Sequence, residues 1–281
     1  MIELGKYQIL KVCKKTDFGV YLCEPGTENS NKILLPLKEV PKDTKINDTL
    51  NVFVYKDSED REIATTSTVP LTIGTTALLR VKEITKIGAF LEWGLLKDLL
   101  LPFKEQTYKI KEGDNVLVSL YVDKSNRLCA TMKVYDYLLS DSNYQKDDMV
   151  SGFVYDKIDA FGIFVAVDNI YSALIPNHEI FCPIRLGETI QARVTNIRPD
   201  GKLTLSLRDK SYVQIDSDSE MILKLLEEEG GFLPYHDKSD SDAIKNKFRI
   251  SKNAFKRAIG KLYKNGTITI ENDGIRLKKN I

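Results

Sequence analysis

Histidine is nearly absent: there are two in 281 residues, with one tryptophan and four widely separated cysteines, Cys13, Cys23, Cys129 and Cys182. Structural zinc needs cysteines and histidines in close pairs. His178 and Cys182 stand four apart, but no second pair completes a site. No metal and no cofactor is therefore expected, and the cysteines read as small buried or strand thiols in a reducing compartment. No apolar run is long enough to span a membrane. The N-terminus, Met1-Ile2-Glu3-Leu4-Gly5-Lys6, enters a strand-like pattern without a signal-peptide apolar region. These absences predict a cytoplasmic protein with no membrane partner and no catalytic centre.

A one-sided charge is missing too. The net charge is +1, which excludes a chain that is basic throughout. The balance is local. Residues 74–133 hold ten Lys/Arg against seven Asp/Glu and residues 217–281 thirteen against ten, while 1–68 and 148–210 are each one unit negative. A hydrophobic content of 42% and a charged content of 29% are ordinary for a folded chain.

What is present is a repeat. Thr16-Asp17-Phe18-Gly19-Val20-Tyr21-Leu22, Thr85-Lys86-Ile87-Gly88-Ala89-Phe90-Leu91 and Asp159-Ala160-Phe161-Gly162-Ile163-Phe164-Val165 each place an aromatic two residues after a glycine. Leu34-Leu35-Pro36, Leu100-Leu101-Pro102 and Leu174-Ile175-Pro176 follow in turn. Each unit closes on a strand, a polar turn and a second strand, at 50–66, 115–132 and 189–207. Alternation such as Val116-Leu117-Val118-Ser119-Leu120-Tyr121-Val122 suits half-buried strands, and repeated short β units predict small five-stranded barrels. Asp200-Gly201 reads as a two-residue hairpin turn. Short linkers are expected near Val69-Pro70 and through Asp141–Asp147, with a short helix opening residues 133–147 and packing on barrel two.

The Phe-Gly-x-Phe element, the strand running to a short helix and the final hairpin with Asp and Arg resemble the OB domain named after ribosomal small-subunit protein one. Three such units with a C-terminal winged helix resemble the conserved virulence factor B family of bacterial RNA-binding regulators. The resemblance implies a mainly β fold: three tandem five-stranded OB-type barrels at 1–68, 69–140 and 147–211, then a small α+β winged-helix domain at 217–281. It also implies an RNA-binding face. Carried over position by position, that face takes Phe18, Tyr21, Asp57 and Arg61 from unit one. Unit two supplies Phe90, Asp123 and Arg127, with Ile87 where the first ring belongs and Trp93 as a nearby substitute. Unit three supplies Phe161 and Phe164, with Arg198 and Lys202 in the Asp and Arg positions. Where many members have a histidine after the third strand, this chain has Pro36, Pro102 and Pro176, which cannot donate a hydrogen bond.

The residues also have plainer readings. Aromatics in small barrels are often core, as expected for Phe53 and Phe153 beside Val54. A spacing of three puts Phe161 and Phe164 on opposite faces of a regular strand, unless a bulge or turn at Gly162 brings them together. Asp57 and Asp123 fit turn positions, and Arg61 and Arg127 fit solvated hairpins.

From Ala243 to Ile270 there is no acidic residue. Met221, Ile222, Leu225 and Leu226 fit one helix face. Ser251 fits the cap of a second, basic helix ending at Asn265-Gly266, with Lys252, Lys256, Arg257, Lys261 and Lys264 as candidate nucleic-acid contacts. A terminal hairpin around Asn272-Asp273-Gly274 completes a winged-helix order. The expected partner is single-stranded or structured RNA. A DNA-binding regulator using the basic helix and a ribosome- or protein-docking adaptor are the alternatives. A nuclease is disfavoured, because no segment remains for a catalytic domain and pairs such as Glu59-Asp60 read as turn charges.

Overall fold

The computed structural model describes residues 2–26, 32–180, 182–207 and 211–278, with the backbone alone at 211–216. Barrel one comprises β1 (Tyr7–Thr16), β2 (Gly19–Cys23), β3 (Ile33–Pro36), β4 (Thr49–Lys56) and β5 (Glu62–Thr65). They close in the order β1-β2-β3-β5-β4, with β3 and β5 parallel. Barrel two, from β6 (Thr76–Ile84), β7 (Gly88–Glu92), β8 (Leu99–Pro102), β9 (Asn115–Val122) and β10 (Leu128–Thr131), repeats that order. So does barrel three, from β11 (Met149–Ile158), β12 (Gly162–Val167), β13 (Tyr171–Pro176), β14 (Thr189–Ile197) and β15 (Leu203–Ser206). The expected three five-stranded barrels are observed.

The repeated glycine and proline have one cause. Gly19 pairs with Pro36, Gly88 with Pro102 and Gly162 with Pro176 across adjacent antiparallel strands. The glycines have φ of 150°, 151° and 133°, and a Cβ there would collide with the carbonyl oxygen of Leu35, Leu101 or Ile175. Only glycine tolerates both the conformation and the approach. Each first strand also carries a bulge, at Val12/Lys14, Val81/Glu83 and Val154/Asp156.

Strict alternation fails where barrels touch. In β4, Val52 and Val54 fill barrel one, while Phe53 and Tyr55 join the core cluster of barrel two with Trp93. In β9, Val116, Val118 and Leu120 fill barrel two, while Leu117 packs with Phe153 and Tyr155 of β11. Full burial of a ring such as Phe53 stabilises by about 1.5–3 kcal/mol, so these contacts help to hold neighbouring barrels together.

Several local expectations change. Cys13 and Cys23 form a disulfide, not separate thiols, with Cα atoms 6.1 Å apart. The β1 bulge leaves Cys13 outside the ladder, beside Lys11, whose partner is Cys23. Cys129 is buried and free, Cys182 exposed and free. The helix expected at the start of 133–147 is one 3-10 turn, Tyr135–Tyr137. Its flanking Val134 and Leu138 are buried against both barrels two and three. The Asp200-Gly201 turn is longer than two residues, because Arg198 and Lys202 close it with a 2.9 Å bond. Asp57 with Arg61 and Asp123 with Arg127 close the other two hairpins likewise. The fourth residue of each turn, Asp60, Asn126 or Gly201, has positive φ, as a three-residue loop with a bulge requires.

The C-terminal unit contains α1 (Ser211–Glu228), β16 (Phe232–Leu233), α2 (Ser241–Phe248), α3 (Lys252–Lys264), β17 (Ile268–Ile270) and β18 (Ile275–Leu277). Its sheet runs β16-β18-β17. Asp240 caps α2 and Ser251 caps α3, each side chain accepting backbone N–H bonds. Among the described residues no helix is long and apolar enough to cross a membrane.

Candidate nucleic-acid interface

The residue before each cross-strand glycine lies outside its strand and points to solvent. Phe18, Ile87 and Phe161 are 57%, 60% and 60% exposed. The residue two after the glycine, Tyr21, Phe90 or Phe164, is half-buried. In barrel one the turn into Gly19 brings both rings together, with Phe18 and Tyr21 centroids 6.2 Å apart and nearly perpendicular. In barrel three Phe164 packs elsewhere. It lies 5.8 Å from Tyr135, which the connector supplies, and 6.2 Å from Tyr155. Tyr135 is 45% exposed, so the connector adds a ring beside barrel three that sequence reasoning missed. Trp93 does not replace the missing ring at Ile87. It is 4% exposed, packs edge-on to Phe53 and donates to the Lys97 carbonyl at 2.7 Å.

The hairpin positions divide by role. Asp57 accepts the Glu59 and Arg61 amides at 2.8 and 3.0 Å and the Arg61 Nε at 2.9 Å. Partial burial pushes the Asp57 carboxyl up, but these bonds outweigh it and hold its pKa below the usual carboxylate value. Arg61 also pairs with Glu59 at 2.8 Å. Asp123 holds its turn in the same way, accepting from Ser125 and Arg127 amides. The Arg127 guanidinium instead reaches Asp60 of barrel one at 2.6 Å, and Lys97 bonds Asp60 at 3.2 Å and the Asp57 carbonyl at 2.8 Å. Barrel one's hairpin is thus tied to barrel two. A cleft of about 220 Å³ lies beside this latch, lined by Tyr55, Ile87, Phe90, Trp93, Lys97 and Arg127 among others.

In barrel three Arg198 lies 3.5 Å from Asp200. Lys202 donates to the Tyr135 hydroxyl at 3.0 Å and sits 4.7 Å from its ring centroid. Cation and rings therefore share one edge.

On the C-terminal unit, Ala254, Phe255, Ala258, Ile259 and Leu262 bury one side of α3. Lys256, Arg257 and Lys264 are exposed, and no hydrogen bond or ion pair engages their side chains among the described residues. Lys252 and Lys261 are half-buried, and Lys252 donates to the Lys238 carbonyl at 3.4 Å. The five basic candidates thus split into three free cations and two partly engaged ones.

A second missed feature is structural. Glu39, Glu105 and Glu179 each stand three residues after the paired proline and accept from the end of the last strand. The bonds are Thr65 to Glu39 at 2.7 Å, Thr131 to Glu105 at 2.9 Å and Ser206 to Glu179 at 2.7 Å. The repeated Pro-x-x-Glu spacing was the available signal. Among the described residues no group of three or more His, Cys, Asp or Glu is placed to hold a metal ion.

Comparison with known proteins covers nearly the whole chain. Residues 4–67 and 73–133 match the S1 domain, residues 136–209 match the second domain of virulence regulatory factor CvfB, and residues 220–277 match the CvfB-like winged helix domain. An uncharacterized Bacillus subtilis protein, YitL, is 33% identical over 287 residues, covering 98% of this chain and 94% of that protein. Conserved virulence factor B of Staphylococcus aureus is 30% identical over 289 residues, with the same coverage of 98% and 94%. A crystal structure of a Streptococcus pneumoniae multidomain protein with nucleic acid binding domains is 28% identical and covers 98% of both chains at a TM-score of 0.52.

Proposed function

Because the chain belongs to the conserved virulence factor B family, we propose that it is a non-catalytic regulator that binds single-stranded or folded RNA and acts on gene expression after transcription. The observation that carries this reading is the coexistence of exposed rings on barrel faces with three cations on α3 that have no partner among the described residues. Rings stack on bases whatever their sequence, and cations neutralise phosphates. In this reading Phe18, Tyr21, Phe90, Phe161 and Phe164 offer stacking faces, and Tyr135 extends the last of them. Arg61, Arg127, Arg198 and Lys202 edge those faces, with Asp57 and Asp123 shaping the turns that present them. Lys256, Arg257 and Lys264 follow the RNA backbone, flanked by Lys252 and Lys261. The nucleic acid binding domains named for the pneumococcal relative support the same reading.

The test is a salt titration of labelled single-stranded RNA with duplex DNA as competitor. RNA should hold its place against equal duplex, and affinity should fall linearly on a log–log salt plot. A duplex that displaces the RNA would favour the second reading, a DNA-binding regulator. That reading draws on α2 and α3, joined at Arg249 in a left-handed conformation as two helices of a helix-turn-helix. RNA incubated with the protein and magnesium or manganese should stay intact, and cleavage would overturn the non-catalytic assignment.

A further inference from the structure

Gly260 sits at the centre of the exposed face of α3. At roughly 100° per residue, the direction opposite the buried row Ala254, Phe255, Ala258, Ile259 and Leu262 falls on Gly260. Its neighbours three and four positions away are Arg257, Tyr263, Lys256 and Lys264, and all four are exposed. Tyr263, at 59% exposure, is a large ring with no cover on this face.

No described residue accounts for a glycine there. Among the described residues a Cβ on Gly260 would meet no atom within 4 Å, and its φ is not positive. Every other residue type except proline would favour the helix more, and alanine most. Close approach from outside would give a bare backbone at this point a use that its cost to the helix otherwise lacks. The surrounding charge says what approaches: three cations with no partner among the described residues, in a stretch without acids, fit an anionic chain.

We propose that Gly260 is the floor of a notch that seats the sugar–phosphate backbone of RNA. This inference rests on the RNA-binding reading given above. Without a Cβ, a ribose lies against the helix itself, and the Lys256, Arg257 and Lys264 head groups reach phosphates on either side. The Tyr263 ring forms one wall, where a ribose or base packs.

The test uses the full chain carrying Gly260→Ala or Gly260→Gln and a labelled oligouridine RNA at low salt. The two readouts move in opposite directions. Winged-helix unfolding should rise by about 4 °C in the alanine variant, because a better helix former replaces glycine at an open site. RNA affinity should fall about fivefold for alanine and at least about thirtyfold for glutamine, as when added methylenes push apart a packed contact. Helical circular dichroism should be undiminished in both. Variants that gain stability and bind RNA as tightly as the parent chain overturn the notch. A parent chain that leaves oligouridine free but holds duplex DNA overturns the RNA reading itself, a failure recognisable without any variant.

Discussion

Barrels one and three share strand order, the cross-strand glycine and an exposed ring before it, yet their candidate faces are furnished differently. In barrel one, Phe18 and Tyr21 meet edge to face and Arg61 is committed to Asp57 and Glu59. In barrel three, the second ring is backed by Tyr155 and extended by Tyr135, and Lys202 leans on that added ring. The barrel supplies positions, while the connector and hairpin decide what the positions offer. Barrel three therefore presents a wider mixed surface of rings and cation, and it is the barrel expected to work with α3.

That division can be broken most directly at α3. Changing Lys256, Arg257 and Lys264 together to alanine should reduce RNA affinity roughly 100-fold at low salt and lower the salt slope by about 2, at about 0.7 per single-strand phosphate contact. Filter binding across a salt series measures both, and an unchanged slope would reassign α3 to another partner. Phe161→Ala with Phe164→Ala should cost about 10–100-fold at every salt concentration and leave the slope alone, since stacking contributes about 1–3 kcal/mol per base. The matched pair Phe18→Ala and Tyr21→Ala should cost less, and an equal loss would erase the contrast between the barrels.

Reducing the Cys13–Cys23 disulfide sharpens the comparison on the stability side. Opening a ten-residue loop should destabilise barrel one by about 2–3 kcal/mol and leave barrel three unchanged, seen as hydrogen exchange rising in β1 and β2 alone. Arg127→Ala should have a smaller effect. Its guanidinium already holds Asp60, so the salt slope should stay put while protease sensitivity rises between barrels one and two. A slope lower by about 0.7 would place Arg127 on the phosphate path. The smallest effect concerns pH. The folded Asp57 pKa lies below the ordinary 3.8, so its stabilising share is present above that value and is lost as pH falls through the folded pKa. Asp57→Asn should flatten the acid limb of barrel-one unfolding below about pH 4.

The repeat was legible because its landmarks answer to local geometry. Gly19, Gly88 and Gly162 are required by a carbonyl on the neighbouring strand, and the prolines are the residues they face. The basic helix was legible because Ser251, the apolar spacing and the absence of acids all lie within one short stretch. Contacts made across long separations were not. Arg127 meets Asp60 from 67 residues away, and Tyr135 meets Phe164 and Lys202 only because the connector folds back onto barrel three. Trp93 looked available from its place near Ile87, but barrel one covers it with Phe53. The disulfide escaped because a bulge, which a spacing of ten residues does not reveal, brings Cys13 beside Cys23. Glu39, Glu105 and Glu179 were within reach, since their distance from the proline repeats three times.

The connector between barrels two and three has a consequence for how a long ligand is held. Leu139 donates to the Ile170 carbonyl and accepts from the Ser172 amide, both at 2.8 Å, while Val134 and Leu138 are buried between the two barrels. A joint fixed in this way has little freedom to lose when a strand spans it. If barrels two and three both hold RNA as proposed, a strand held on barrel two would meet barrel three at high effective concentration, the more so the better its span matches the fixed spacing. Two weak contacts joined this way would grip long strands better than short ones, so ligand length would become a basis for selection without any base being read.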